Sequence, residues 1–249
     1  MLRALYFFFA TVRIFWMDSM NEAATVLSNQ TTGTLGQQVY LALRGRLLAG
    51  EWLPGAKLTL RGLAEELGTS VQPVREAVSR LSAERVLLVK PNSSLMLPPI
   101  DKEELDEIWA LRLLLEREAA RLCAVRLTEA QFGELDQEMT AIRAQLTARG
   151  AQSGRVLPIQ RVAVQLGKWS GSRLLAEQIE TLRLRGAPHY AAALRADMSG
   201  EEDFILFSLR IQEELIEALK CRNAVNAAEL RGADLYTYKR FIYRRLGLE

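Results

Sequence analysis

The sequence predicts a mainly α-helical protein: an N-terminal winged helix-turn-helix with a small β wing, then an all-α bundle of six to seven helices. Two apolar stripes at helical spacing flank Gly68, and two short β-like runs follow them. Beyond Asp101 the apolar residues keep a helical period, and no segment alternates like a strand. The 249 residues suffice for two domains with separate cores, predicted at 34–98 and 101–249.

The first 33 residues are predicted to precede the folded domains as a leader. Residues 1–12 combine a basic start with an apolar run, but the run is too short to span a bilayer and no clear cleavage site precedes Asp18. Met17 and Met20 offer alternative translation starts where the composition becomes ordinary. We therefore favour a disordered leader or an over-extended start over a membrane anchor.

Three helices are predicted in the N-terminal domain. The first ends at Gly50, and a tight turn at Gly68 separates the second from the third, because glycine readily takes the positive φ that such a turn needs. Ser70 is placed to cap the third helix, and Pro73 is tolerated in its first turn. The apolar stripes of the three helices are Leu35, Val39, Leu43 and Leu47; Leu60, Leu63, Ala64 and Leu67; and Val74, Ala77, Val78 and Leu81.

The third stripe leaves Gln72 and Arg75 facing away from the core. In a helix-turn-helix, the exposed polar face of the second helix is the surface that enters the major groove of DNA. Runs at 86–90 and 95–97 around a turn at 91–94 are predicted to form the hairpin of the wing. Double-stranded DNA is therefore the predicted partner.

The C-terminal domain is predicted to be helical throughout. Its first helix is capped by Asp101, and His189, the single histidine, follows Pro188 in a stretch predicted to break a helix at the surface. The first helix is expected to bury Ile108, Leu111, Leu115, Ala119 and Leu122. Further helices are predicted at 128–149, 154–168, 173–197, 203–222 and 224–245.

Charge and chemistry narrow the function classes. Residues 34–100 hold eight Lys and Arg against five acidic residues, whereas residues 101–249 hold 22 against 23, so the positive excess lies on the predicted DNA-binding domain. Cys123 and Cys221 are too isolated for a disulfide framework or a zinc site. With no Ser-His-Asp set and no Gly-rich phosphate loop, we expect neither enzyme activity nor a cofactor.

The phrase Ser-x-x-Pro-Val-Arg-Glu-Ala at residues 70–77, followed by Arg80-Leu81 and Pro91-Asn92, resembles the signature of the GntR family of bacterial transcription regulators. The helical half resembles the FCD (FadR-like) branch through Arg-x-x-Leu-Glu-x-x-Ala-Ala at residues 112–120. The resemblance covers residues 34–245. It implies a winged-helix reading domain, an effector-binding helical domain and a homodimer.

Carried onto this chain, the resemblance implies several DNA contacts. Arg75 can donate two parallel bonds to guanine, and Arg61 at the start of the preceding helix can hold a phosphate. Val71 and Ser93 stand where relatives carry arginine, and Arg85 replaces a glycine, which costs about 1 kcal/mol if a positive φ is retained. The implied DNA-binding residues are Arg61, Ser70, Gln72 and Arg75, with Asn92 and Ser93 in the wing.

Many FCD domains hold a divalent metal through one aspartate and three histidines. The resemblance places those four ligands at Val156, Gln160, Gln212 and Asp234, a poor set for a transition metal, so we predict no metal site. We expect Gln160, Gln212 and Asp234 to hydrogen-bond an effector and Arg112 to pair with a carboxylate on it. The alternative is a vestigial cluster whose members bond to each other or to water, since unpartnered buried polar groups cost roughly 1–3 kcal/mol each.

These observations predict a cytoplasmic, homodimeric, sequence-specific DNA-binding regulator, a repressor controlled by a small-molecule effector. Three alternatives stay open: a ligand-independent or partner-controlled dimer whose helical half only dimerises, an enzyme fused to a DNA-binding module, and a membrane-tethered regulator. Thermal-shift screening, assay of residues 101–249 for activity and mapping of the translation start would distinguish them.

Overall fold

The structure is a computed structural model that describes residues 33–90, 94–148, 165–195 and 201–249. The chain divides into two compact units. The first unit holds the residues up to Ile100 together with Ala187–Ala191, and the second holds Asp101–Gly186 and Ala192–Glu249. The fold is mainly helical, as predicted, with a winged helix-turn-helix in the first unit and long helices in the second.

Three helices and a three-stranded sheet make up the first unit. In chain order they are α1 Leu35–Leu48, β1 Lys57–Thr59, α2 Leu60–Glu66, α3 Val71–Ala83, β2 Leu88–Val89 and β3 Ser94–Met96. The strands are antiparallel in the order β1-β3-β2, with Leu95 opposite both Leu58 and Val89. The sequence prediction missed β1, which is defined by its pairing with a strand that lies far away in the sequence.

The tight turn between α2 and α3 forms as predicted. Gly68 has φ +61°, and the backbone N–H of Thr69 donates to the carbonyl of Ala64 at 2.9 Å. Ser70 is the N-cap residue of α3, but its hydroxyl accepts no capping hydrogen bond, contrary to the prediction. Thr59 caps α2, where its Oγ1 accepts from the backbone N–H of Gly62 at 3.0 Å.

The core of the first unit contains most of the predicted stripes. Leu35 was wrongly assigned to it and is 54% exposed, because as the first residue of α1 it lies at the end of the packed face. Tyr40 was missed: its ring is buried, and its hydroxyl donates to Glu84 at 2.7 Å. Burial, reinforced by that hydrogen bond, raises the pKa of Tyr40 to about 12.

Arg85 lies just after the C-terminal end of α3 and has a left-handed conformation. Its φ is +58°, and the next backbone N–H, that of Val86, donates to the carbonyl of Leu81 at 2.9 Å, as in a Schellman motif. Arg85 therefore retains the positive φ of the glycine it replaces, so we expect Arg85→Gly to raise the free energy of unfolding of this unit by about 1 kcal/mol. Denaturation monitored by circular dichroism measures the change. Arg85→Ala, which removes the charge but keeps the Cβ, should bring no such gain; equal stabilisation by both variants would contradict the assignment.

Five long helices are described after Asp101: α4 Lys102–Arg126, α5 Glu129–Ala148, α6 Arg173–Leu194, α7 Glu202–Lys220 and α8 Ala224–Leu246; residues 165–169, before α6, are also helical. The predicted cap at Asp101 and breaks near Gly171 and Asn223 are confirmed. None of the described helices is long and apolar enough to cross a membrane.

Two predictions for the helices that follow Asp101 are wrong. The helix α6 continues through Pro188, and His189 on it is buried rather than at the surface. In α4, Leu111 is 47% exposed, and Arg112 and Glu116 take buried positions in the stripe instead. The predicted stripe was out of phase because it admitted only apolar residues, whereas this helix buries a charged pair.

Candidate DNA-binding surface and buried polar cluster

The outer face of α3 is polar and exposed. Gln72 and Arg75 lie on it, while Val74 and Ala77 point into the core and are almost fully buried. Ser70 is exposed at the start of α3, and α2 carries an exposed Arg61 in its first turn. A polar helix face whose opposite side is fixed by a core is the geometry of a recognition helix that reads a groove.

Ion pairs within the unit neutralise three of its acidic residues. Arg46 bonds to Glu51, with Nε–Oε2 at 2.5 Å, and also pairs with Glu66. Glu84 accepts hydrogen bonds from the Tyr40 hydroxyl at 2.7 Å and from Arg80 at 3.4 Å. These acids are thereby tied to internal cations and contribute less repulsion toward a phosphate backbone.

Other basic residues of the unit stay available. They are exposed and make no ion pair with any residue that the structure describes: Lys57, Arg61, Arg75, Arg85 and Lys90. Arg80 differs from them, because it stacks over the Tyr40 ring at 3.8 Å and donates to Gln37 at 2.8 Å. The small positive charge of this domain is therefore concentrated in unpaired side chains that can bind phosphate or base edges.

The structure places four of the six predicted DNA-binding residues. Arg61, Ser70, Gln72 and Arg75 are all exposed on α2 and α3 or at the turn between them. Asn92 and Ser93 lie outside the described residues. The backbone N–H of Lys90 donates to the carbonyl of Ser94 at 2.8 Å, which brackets the tip of the wing.

A second group of polar side chains is buried inside the helical unit, around Glu116. Its carboxylate accepts from Arg112 Nε at 2.7 Å and from Arg231 Nε at 3.1 Å, and Arg183 lies 3.7 Å away. Burial alone would raise the pKa of Glu116, but the charges of Arg112, Arg231 and Arg183 outweigh it and hold the pKa well below its usual range. Glu116 is therefore ionised and joins α4 to α6 and α8.

Asp234 is the second carboxylate of this cluster. It accepts from Gln212 Nε2 at 3.0 Å and from Ser208 Oγ at 3.2 Å, and it pairs with the Arg231 guanidinium. Burial raises the pKa of Asp234 despite these partners, and the nearby charge of Glu116 adds to the rise. Asp234 therefore takes up a proton before Glu116 as the pH falls.

We call this group the buried polar cluster: Arg112, Glu116, Arg183, Ser208, Gln212, Arg231 and Asp234. It brings together three of the four residues predicted to bind an effector, and the fourth, Gln160, lies outside the described residues. Sequence reasoning missed Glu116, Arg183 and Arg231. Glu116 and Arg231 left local signals, since Glu116 follows Arg112 by four residues and Arg231 precedes Asp234 by three, both of which are spacings of an ion pair on one helix.

The cluster does not fit a metal ion. Gln212 directs its amide N–H toward Asp234, and the same carboxylate already binds Arg231, so a cationic side chain occupies the lone pairs that a metal would need. The residues at the other two family positions, Val156 and Gln160, lie outside the described residues. No group of three or more His, Cys, Asp and Glu side chains in the described part could hold a metal.

Two features of the cluster indicate what kind of ligand it could bind. Within the named cluster three guanidinium groups, of which those of Arg112 and Arg231 are fully buried, lie beside two carboxylates, so cationic groups outnumber anionic ones. Gln212 is 1% exposed, and its Oε1 has no hydrogen-bond partner among the described residues. A buried acceptor of this kind calls for a donor, such as the hydroxyl or amine of a bound molecule.

Comparison with known proteins gives consistent matches. The family model described as "Bacterial regulatory proteins, gntR family" matches residues 35–96. The HTH-type transcriptional regulator McbR of Escherichia coli K12 is 35% identical over 160 residues, which are 63% of this chain and 72% of McbR. The HTH-type transcriptional repressor RspR of the same strain is 27% identical over 43% of this chain and 47% of its own length.

Solved structures extend the match beyond the reading domain. The structure of Escherichia coli McbR/YncC superposes with a TM-score of 0.77 at 27% identity and covers 86% of this chain and 100% of that one. A GntR regulator from Rhodococcus sp. RHA1 has a TM-score of 0.61 at 19% identity, over 86% of this chain and 98% of its own, and supports the fold alone. Both units of the chain thus have structural counterparts.

Proposed function

The chain belongs to the GntR family of bacterial regulatory proteins and is a DNA-binding transcription regulator, and on that premise we propose that it acts in the cytoplasm as a homodimeric repressor. Two recognition helices related by a two-fold axis would read a palindrome with half-sites roughly one helical turn, about 34 Å, apart. The name of its relative RspR as a repressor supports the direction of control.

One observation carries the proposal for DNA reading. Arg75 and Gln72 lie exposed on the face of α3 opposite its core stripe, and Arg75 has no ion-pair partner among the described residues. We propose that Arg75 and Gln72 read base edges, while Arg61 and Ser70 position the helix on the phosphates. Asn92 and Ser93 would contact DNA from the wing.

Selection from a random pool of duplexes tests the proposal. We expect the full-length chain to enrich a palindromic sequence and to bind it at least about 1,000-fold more tightly than scrambled DNA at the same salt concentration. If no sequence is enriched, and the affinity changes with salt concentration but not with DNA sequence, sequence-specific reading would be contradicted.

For the helical unit, we propose that the buried polar cluster binds a small-molecule effector that carries a carboxylate. The excess positive charge supports an anion, and the unpartnered Gln212 Oε1 supports a donor group on the same molecule. Arg112, Gln212 and Asp234 would contact it, with Gln160 as a further candidate. Binding there alters DNA affinity only if the effector favours one of two arrangements of the dimer.

Thermal-shift screening tests the effector proposal. Organic acids, amines and amino acids are compared at matched ionic strength; a specific acid at about 100 times its Kd should stabilise the unit by about 2.7 kcal/mol. Gln212→Leu should remove the stabilisation by that acid. The hit is then added to the DNA titration, where it should change operator affinity.

A second candidate is a helical unit that only dimerises, with no effector. The ion pairs and hydrogen bonds within the buried polar cluster favour it, because its carboxylates are already satisfied by neighbouring side chains. Absence of stabilisation by every compound class, with unchanged operator binding, would select this candidate over the effector proposal.

A further inference from the structure

An exposed apolar surface lies on the outer side of the helical unit, apart from both sites described above. Leu111 and Leu114 on α4 are 47% and 67% exposed, and Tyr236 on the adjacent α8 is 62% exposed. Together with the exposed Ala110, they form what we call the α4–α8 face. Adjacent exposed apolar side chains are costly in water, which indicates an interaction surface.

A groove opens between the two helices on this face. Its volume is about 480 Å³, and apolar side chains line most of it, among them Trp109, Leu113 and Leu235. Ala110 also lines it, and Leu114 follows one turn later on the same helix. The face thus offers both a protruding leucine and a recess that can accept one.

One pair of charged residues on α4, Glu107 and Arg121, is self-complementary about Leu114. If α4 packs antiparallel against a second α4 with the two Leu114 side chains facing each other, positions equally distant from Leu114 in opposite directions face each other. Seven residues before it lies Glu107, and seven after it lies Arg121, both exposed. Arg121 bonds within its own helix to Glu118 at 2.7 Å, at the surface, where it is accessible to a second carboxylate.

We propose that the α4–α8 face is the surface on which a second copy of this chain docks, with the two-fold axis passing near Leu114. The two Leu114 side chains face each other at the axis, Leu111 of each copy packs against the second copy, and Glu107 pairs with Arg121 of the second copy. A heterologous partner would not require this mirrored charge pattern, whereas an isologous contact does. The inference rests on the proposed homodimer and identifies the surface that forms it.

Sedimentation of the full-length chain tests this surface. Leu114→Glu places two like charges on the axis, so we expect the dissociation constant of the dimer to be at least about 100-fold higher than in the wild type. Leu174→Glu is the matched control, because Leu174 on α6 is also 67% exposed, and it should leave the dimer intact. A dimer that withstands Leu114→Glu overturns the proposal.

A charge exchange tests the register. Glu107→Arg and Arg121→Glu should each weaken the dimer, and the double variant should restore it to within about threefold of the wild type. A double variant that stays as weak as the singles overturns the antiparallel pairing about Leu114. A wild-type chain that sediments as a monomer overturns both this surface and the proposed homodimer. DNA binding is measured in parallel, and a monomer that still binds DNA would leave the proposed DNA-binding function intact.

Discussion

Replacing Arg75 by alanine is expected to abolish specific operator binding while the protein stays folded. The guanidinium is exposed on α3, and no described residue forms an ion pair with it, so its removal leaves no buried group behind. A bidentate contact to guanine is worth about 1–3 kcal/mol, and a dimer makes two such contacts, so affinity should fall by about 2–6 kcal/mol. Fluorescence anisotropy with the selected duplex and with a scrambled one measures the loss.

Arg80→Ala is the matched control for this experiment. Arg80 lies on the same helix and is exposed, but it stacks on Tyr40 and bonds to Gln37 and Glu84. Its loss should therefore leave discrimination between the two duplexes unchanged. An Arg75→Ala variant with wild-type operator affinity would contradict the assignment of Arg75 as a residue that reads DNA bases. Equal weakening on both duplexes, with a smaller salt dependence, would make Arg75 a phosphate contact instead.

The reading domain was largely predictable because its signals are local. The turn at Gly68, the polar face with Arg75 and the positive φ at Arg85 each depend on a few neighbouring residues. The capping role of the Ser70 hydroxyl was wrong, since that hydroxyl accepts no bond from its helix. The strand β1 was missed because it is defined by its pairing with β3. At the centre of that pairing, Leu58 lies opposite Leu95, with 36 residues of sequence between them.

The helical unit was less predictable for a physical reason. A periodicity search assigns charged residues to the solvent, because a lone buried charge is prohibitively costly. Arg112 and Glu116 escape that cost by pairing with each other and with Arg231, which lies 115 residues beyond Glu116 in the sequence. A pairing that distant leaves no local pattern, so the buried face of α4 was assigned to Leu111 instead.

Loss of the Glu116 charge is expected to destabilise the helical unit strongly. Three guanidinium groups converge on its carboxylate, and Glu116, Arg112 and Arg231 are each at most 2% exposed. Removing one partner of a buried ion pair costs about 3–5 kcal/mol, because the remaining charge stays buried without compensation. We expect Glu116→Gln, which keeps the shape and removes the charge, to lower the free energy of unfolding by about this amount in urea denaturation.

Glu118→Gln provides the control on the same helix. Glu118 makes the same type of pair, with Arg121, but both side chains are more than 40% exposed, so its loss should cost no more than about 1 kcal/mol. If Glu116→Gln and Glu118→Gln lower the free energy of unfolding equally, loss of the Glu116 charge does not leave an uncompensated buried charge. That result would contradict the explanation by a buried ion pair.

The pH dependence gives an independent check on Glu116. Its pKa is lower in the folded chain than the ordinary value of 4.5, so the ionised form stabilises the fold above that pH, and the contribution is lost as the pH falls through the folded pKa. The stability difference between wild type and Glu116→Gln should thus be full at neutral pH and shrink below about 4.5. Asp234 also has a raised pKa, to which the charge of Glu116 contributes, so the titration of Asp234 is part of the measured difference. A difference that persists unchanged to pH 2 would mean that the glutamate carboxyl stabilises the helices by its shape and hydrogen bonds and not by its charge.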